Sequence, residues 1–176
     1  MWPCTEDDID ALHKIWIHPN VREFLWDDVI ISREQAAEIV LKSIDSYNEK
    51  RIGFWCIHQI EKETTIGFCG LGHYGKQPEI EVFYGLDPQH WGRGFATEAV
   101  GAMLRYGFEE LGYAFILSGA NPSTEASFLV VEKLGMKPVK RVFVEALNGE
   151  DIEVVYYGIK RDEFQPGDAD YCVVKS

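Results

Sequence analysis

QHWGRGFATEA, residues 89–99, stands where the sequence passes from one periodicity to another. The run EIEVFYGL before it alternates with a period of two, and the residues after Gly94 recur with helical spacing. A helix that begins here leaves its first N–H groups without partners, and its positive dipole end faces the preceding loop. Gly92 and Gly94 carry no Cβ to hold an anion away, and His90 and Arg93 add positive character at the rim. The competing reading is an ordinary turn that needs permissive backbone. Two established phosphate motifs are excluded. No lysine followed by serine or threonine comes after the glycines, and the third glycine of G-x-G-x-x-G would fall on Thr97, whereas the next one is Gly101.

On the N-terminal side, Thr5 precedes the acidic turn Glu6, Asp7 and Asp8, and Ile9, Leu12, Ile15 and Trp16 follow at helical spacing, with Pro19 as the expected stop. Ser32 and Gln35 form a capping box for a second helix through Tyr47, with Ala36, Ile39, Val40 and Ser43 on its inner face. RIGFWCIHQI and TTIGFCGLGHY read as a hairpin across Glu61, Lys62 and Glu63, and residues 79–86 as a third strand. Beyond the glycines come a helix over 95–111, a buried strand in YAFILSGA and a helix over 123–134 ended by Gly135. Strands over 139–147 and 152–159 flank the hairpin signal Asn148-Gly149. A short strand within residues 1–4 completes an α/β chain with a mixed sheet and helices on both faces. We expect a single domain over 1–160 and a tail over 161–176.

The 176 residues suffice for one buried core, and 46% hydrophobic content argues against disorder. No run is long and apolar enough for a membrane helix, and the start shows no secretory pattern. Cys4, Cys56, Cys69 and Cys172 are scattered without metal-ligand spacing, so no metal is expected and reduced thiols in the cytoplasm are the plain reading. A formal charge of −12 disfavours nucleic acid and suits small amines or basic peptide ends.

The run Gln89-His90-Trp91-Gly92-Arg93-Gly94 resembles the acyl-CoA pyrophosphate motif Q/R-x-x-G-x-G/A of the GNAT N-acetyltransferase superfamily. The ordered set EVFYGLDPQHWGRGFATEAV, YGFEELGY and NPSTEASFLVVEKLGM is similar to its ribosomal-protein-alanine acetyltransferase branch, over roughly residues 5–160. The resemblance implies a sheet splayed between the EIEVFYGL and YAFILSGA strands, with acetyl-CoA in the split. It implies pyrophosphate on the amides of Trp91, Gly92, Arg93, Gly94, Phe95 and Ala96, with Gln89 and His90 starting the same arm. Main-chain groups of Tyr84, Gly85 and Leu86 would pair with pantetheine, and one of their N–H groups would polarise the acetyl carbonyl. Related chains carry more residues ahead of the first strand, so a shortened edge strand is expected here.

Asn121 reads as a turn residue before a helix cap, and the resemblance implies a hydrogen bond to the pantetheine arm. Ser127 reads as a solvent-facing helical serine, and the resemblance implies that it protonates the leaving thiolate. Tyr156 and Tyr157 are the alternatives for that step. Glu81 shares a strand face with Glu79, Phe83 and Gly85, which is either a solvated face or a half-buried carboxylate with a raised pKa, and the resemblance favours Glu81 as general base. His73 is a weaker base candidate and His58 a structural residue. Phe24, Trp26, Asp27 and Tyr74 are candidates for the acceptor pocket. The expected activity is acetyl transfer from acetyl-CoA to a primary amine, on a small molecule or a protein N-terminus, by direct attack in a ternary complex of a monomer or homodimer. The alternative is an acyl-CoA-binding or sensor module without catalysis.

Overall fold

The alternating runs in the middle of the chain fold into antiparallel strands, and the helical segments cover both sides of the sheet they build. The structure is a computed structural model that describes residues 1–59, 64–73, 78–146, 149 and 151–167. Seven strands, β1 (Trp2–Pro3), β2 (Gly53–Gln59), β3 (Thr64–Gly72), β4 (Ile80–Leu86), β5 (Phe115–Ala120), β6 (Lys137–Glu145) and β7 (Asp151–Lys160), form one sheet in the order β1-β2-β3-β4-β5-β7-β6. All neighbours are antiparallel except β4 and β5, which α4 (Phe95–Arg105) connects as a crossover. The expected turns at Glu61-Lys62-Glu63 and at Asn148 lie outside the described residues, but the strands on either side of each pair as a hairpin requires. The short strand expected within residues 1–4 is β1, which spans Trp2–Pro3.

Period-two alternation divides the sheet's side chains between two cores. Cys4, Phe54, Cys56 and Phe68 pack with α1 (Ile9–Trp16), α2 (Pro19–Leu25) and α3 (Arg33–Lys50), where Leu12, Trp16, Ala36 and Val40 are fully buried. Trp55, Cys69, Ile80, Val82, Ile116 and Ile159 pack on the other face against α4 and α5 (Glu125–Lys133). Burying a side chain of this size stabilises the fold by about 1.5–3 kcal/mol. Cys56 and Cys69 are core residues, both fully buried.

The helices depart from expectation at three ends. Pro19 does not only stop a helix: α1 ends at Trp16, and the proline occupies the first turn of α2, where its missing N–H costs nothing. The helix after Gly94 is α-helical to Arg105 and then widens into a π-turn, Tyr106–Glu110, which Gly107 lines against Ile116 and Leu71. The last helix starts at Glu125 and not at residue 123, because Asn121 and Ser123 are tied in a turn of their own. The Ser32–Gln35 capping box forms as expected, with bonds of 2.7 and 3.2 Å in the two directions. Among the described residues no helix is long and apolar enough to cross a membrane. At the C-terminal end Arg161 donates to the Tyr113 carbonyl at 2.7 Å, and Phe164 packs on Phe108.

Candidate active site

The parallel ladder between β4 and β5 has only two residue pairs, Ile80↔Ile116 and Glu81↔Leu117. Beyond Glu81 the strands separate. Among the described residues, the β4–β5 ladder does not continue past Glu81, while β3 still pairs with the other edge of β4 as far as Leu86. β5 continues to Ala120 beside β7. The result is a V-shaped split, with Tyr84, Gly85 and Leu86 along one arm and the pair Glu81–Leu117 at its apex. The residues that end the ladder are the ones whose alternation places polar and aromatic side chains on one face.

At the open end of the β4 arm, Asp87 caps the short turn Pro88–His90 through Gln89 N at 2.9 Å. The chain then passes through Gly92 and Gly94, both left-handed, with φ of +73° and +86°. A Cβ at either glycine would meet nothing within 4 Å, so both backbones lie open to whatever occupies the space above them. Gly94 is the N-cap of α4, so Phe95, Ala96 and Thr97 hold N–H groups that no turn of the helix can use. Gly92, Arg93 and Gly94 donate no backbone hydrogen bond among the described residues. Six consecutive amides, from residue 92 to 97, thus have no backbone partner among the described residues, which is what a loop that binds anionic oxygens needs. Trp91 is different. Its N–H goes to the Pro88 carbonyl at 3.2 Å, and its exposed ring folds back so that Nε1 donates to the Leu86 carbonyl at 2.9 Å. The Trp91 amide and the Leu86 carbonyl therefore have partners within the chain, unlike the amides of Gly92, Arg93 and Gly94 among the described residues. Gln89 is exposed, and the His90 ring lies against Phe95 with centroids 6.3 Å apart.

Glu81 is 6% exposed, so the solvated-face reading does not hold for it. Its Oε1 is buried without a hydrogen-bond partner. Burial pushes its pKa up from 4.5 to about 7; Lys140 opposes the rise and Glu79 adds to it. Glu79 is half-buried and sits 3.8 Å from the Lys140 ammonium, which also lies 5.2 Å above the Tyr156 ring. Phe83, on the same face, packs edge-on against Phe54 at 4.6 Å. A carboxyl poised near neutrality beside aromatic surface is suited to taking a proton from an ammonium. His73 is exposed at the end of β3.

On the opposite face, Tyr84 reaches from the β4 arm to α5. Its hydroxyl lies 2.9 Å from the Ser127 carbonyl, to which it donates, and 2.7 Å from Ser127 Oγ. Burial pushes the Tyr84 phenol up to about 12, so it stays protonated at neutral pH. Nothing in the local sequence signalled this contact; only period-two alternation, which puts Tyr84 on the face of α5, was available to find it. Tyr157 is committed elsewhere, donating to Glu132 at 2.9 Å and stacking on Phe128. Tyr156 lies on the Glu81 face, and burial pushes its phenol up to about 12. Asn121 takes the turn role: its Oδ1 accepts from Ser123 N at 3.0 Å and from Ser123 Oγ at 2.7 Å. The buried oxygen left without a partner at this helix start belongs to Thr124, the N-cap of α5, which sequence reasoning passed over.

Of the acceptor-side candidates, Trp26 is a packing residue, its ring edge-on to Trp16 at 5.6 Å. Phe24 is exposed on α2, Asp27 adopts a left-handed φ of +52°, and Tyr74 lies outside the described residues.

Residues 1–137 match the model of the acetyltransferase (GNAT) domain. The uncharacterized N-acetyltransferase YoaA of Bacillus subtilis is 29% identical over 136 residues, 76% of each chain. Among solved structures, the spermidine N-acetyltransferase of Vibrio cholerae, in complex with CoA and spermine, superposes with a TM-score of 0.76 at 18% identity, covering 92% of this chain and 94% of that one. The ribosomal-protein-alanine acetyltransferase of Vibrio fischeri gives 0.75 at 16% identity, covering 93% of both. Likeness at these identities concerns the fold. It extends to proteins with different acceptors, so the ribosomal-protein branch is not singled out.

Proposed function

The chain belongs to the acetyltransferase (GNAT) family, and we propose that within it this protein transfers acetyl from acetyl-CoA to a primary amine by direct attack in a ternary complex. The observation that carries the reading is the split after Glu81, with a row of unpartnered amides at its mouth and a buried carboxyl at its apex. The acetylated cofactor supplies the thioester carbon, and the rest is done by the chain. The amides of Gly92, Arg93, Gly94, Phe95 and Ala96 hold the pyrophosphate. Val82 to Leu86 offer the backbone edge along which the pantetheine arm lies, and an N–H there polarises the acyl oxygen. Asn121 keeps its Nδ2 donors for that arm, since its own turn uses only Oδ1. Glu81 takes the proton of the acceptor ammonium, and the Ser127 hydroxyl, held by Tyr84, gives a hydrogen to the departing sulfur.

Release of free thiol from acetyl-CoA, measured across alkylamines, polyamines and peptides with free N-termini, tests the reading. Acceptor-dependent release is expected with one of these classes, and cationic acceptors suit a chain of formal charge −12. Acetyl-CoA binding without acceptor-dependent release from any of them would instead favour a binding module.

A further inference from the structure

A second cluster of chemically active side chains lies two strands away from the split, at the β1–β2 edge. Cys56 and His58 are two apart on β2 and so share a face. Asp8, at the turn leading into α1, comes over that face, and one ligand atom from each of the three lies within 4.8 Å of the others. Among the described residues no other group of three such donors comes together in this way.

Each member is presented to a common point. Asp8 is held by Thr5, whose N–H and hydroxyl donate to Oδ2 at 2.9 and 3.0 Å. Cys56 is fully buried, and its thiol lies within 4.8 Å of the Asp8 carboxylate. His58 Nδ1 is paired with the Thr65 hydroxyl at 3.3 Å, and the Trp2 ring stacks on the imidazole at 3.7 Å, so the ring is oriented from two sides. Its other nitrogen, Nε2, is buried without a partner. A thiol, a carboxylate and an imidazole nitrogen with an unmet bond are an unusual set to enclose together unless something bonds all three.

We propose that Asp8, Cys56 and His58 form a binding site for a zinc-class divalent cation, which fastens β1 and the start of α1 to β2. Sulfur, nitrogen and carboxylate oxygen together are a zinc-type donor set, unlike the all-oxygen sets of calcium or magnesium. Around a tetrahedral zinc these donors stand about 3.4–3.6 Å apart, so donors now within 4.8 Å of one another close in by about 1.4 Å at most. Binding exchanges the Cys56 S–H for an S–metal bond and releases one proton to solvent; thiolate and carboxylate together balance the two positive charges. Thr65 orients the histidine in the way second-layer partners do at zinc sites. The proposal does not depend on the acetyltransferase reading.

The test is titration of the chelator-treated full chain with cobalt(II) and, separately, with zinc. One equivalent of cobalt is expected to give a thiolate-to-cobalt charge-transfer band. Cys56→Ser abolishes the band, His58→Gln weakens affinity at least tenfold, and the milder Thr65→Val weakens it about tenfold. Zinc at a hundred times its Kd is expected to raise Tm by about 5–10 °C. Absence of the band in wild type at saturating cobalt overturns the proposal without reference to any variant. So does a band that survives in Cys56→Ser, or a zinc-induced Tm rise of the same size in wild type and His58→Gln.

Discussion

Glu81→Gln keeps the outline of the protonated side chain and removes only its ability to exchange a proton. The wild-type carboxyl is 6% exposed and has its pKa raised, chiefly by burial, from 4.5 to about 7. Each unit of such a difference is worth about 1.4 kcal/mol, so the shift sets an upper bound of about 3 kcal/mol, and solvent screening lowers it to about 2. The sign follows from proton counts. Below pH 4.5 the folded and unfolded chains both hold the proton; between 4.5 and about 7 only the folded chain does. Stability from this group is therefore complete at low pH and is lost as pH rises through about 7. The substituted amide does not titrate and has no such loss, so the variant gains on wild type across this window, by about 4–8 °C in Tm once pH is well above it. The kinetic half uses an alkylamine acceptor, which itself titrates near pH 10 and leaves the lower limb visible. Wild-type kcat/KM rises through an apparent pKa near 7, and the variant loses both that limb and about 10²–10⁴ in kcat, with acetyl-CoA affinity kept. A limb near 7 that persists in Glu81→Gln would show that another group is the base, and parallel stability profiles would show that Glu81 ionises normally.

Four further substitutions probe the other parts of the site and its support. Tyr84→Phe and Ser127→Ala are each expected to lower kcat about a hundredfold, and the double variant no further, because the phenol acts through the hydroxyl 2.7 Å away. Strictly additive losses in that cycle would mean that the two act separately. Gly92→Ala puts a Cβ on backbone at φ +73° where nothing stands within 4 Å, so its cost to the free protein is conformational, about 1–2 kcal/mol by thermal unfolding. If a phosphate occupies that space, KM for acetyl-CoA rises at least tenfold while the amine KM holds; an unchanged KM removes Gly92 from the cradle. Ser43→Ala strips the acceptor from the buried Phe54 N–H, bonded at 2.7 Å, and is expected to cost about 1–3 kcal/mol in denaturant titrations with no effect on kcat.

The sequence carried what depends on neighbours along the chain. Alternation through residues 80–86 fixed which side chains share a face, and the glycines at 92 and 94 with a helix immediately after them marked a turn of open backbone at a helix start. The splay came from family likeness, since nothing within EIEVFYGL says that its ladder with β5 stops after Glu81. What escaped were contacts made across long stretches of chain. Tyr84 and Ser127 are 43 positions apart, and Asp8 meets Cys56 and His58 only because β1 and the first turn fold over β2. Pro19 misled because the same missing N–H ends one helix and opens the next. The turn reading of Asn121 shows in its Oδ1, which accepts from the N–H and hydroxyl of Ser123, while a bond to a pantetheine arm would use its Nδ2.

The split between β4 and β5 also bears on how the molecule avoids its own kind. An unpaired strand edge is ordinarily a template for another chain, and proteins blunt such edges with charge, bulges or short strands. The open edge of β4 has little of that protection over residues 82–86, where the sequence is Val-Phe-Tyr-Gly-Leu. Its safeguard is position. β5 leaves it after the Glu81–Leu117 pair, so a strand that approaches this edge has to enter between β4 and β5. An incoming protein strand carries side chains on both faces, and Tyr84 already spans from β4 to Ser127 on one of them. A pantetheine arm bound there as proposed would be slender and unbranched, so the same split would favour the arm over a second protein strand.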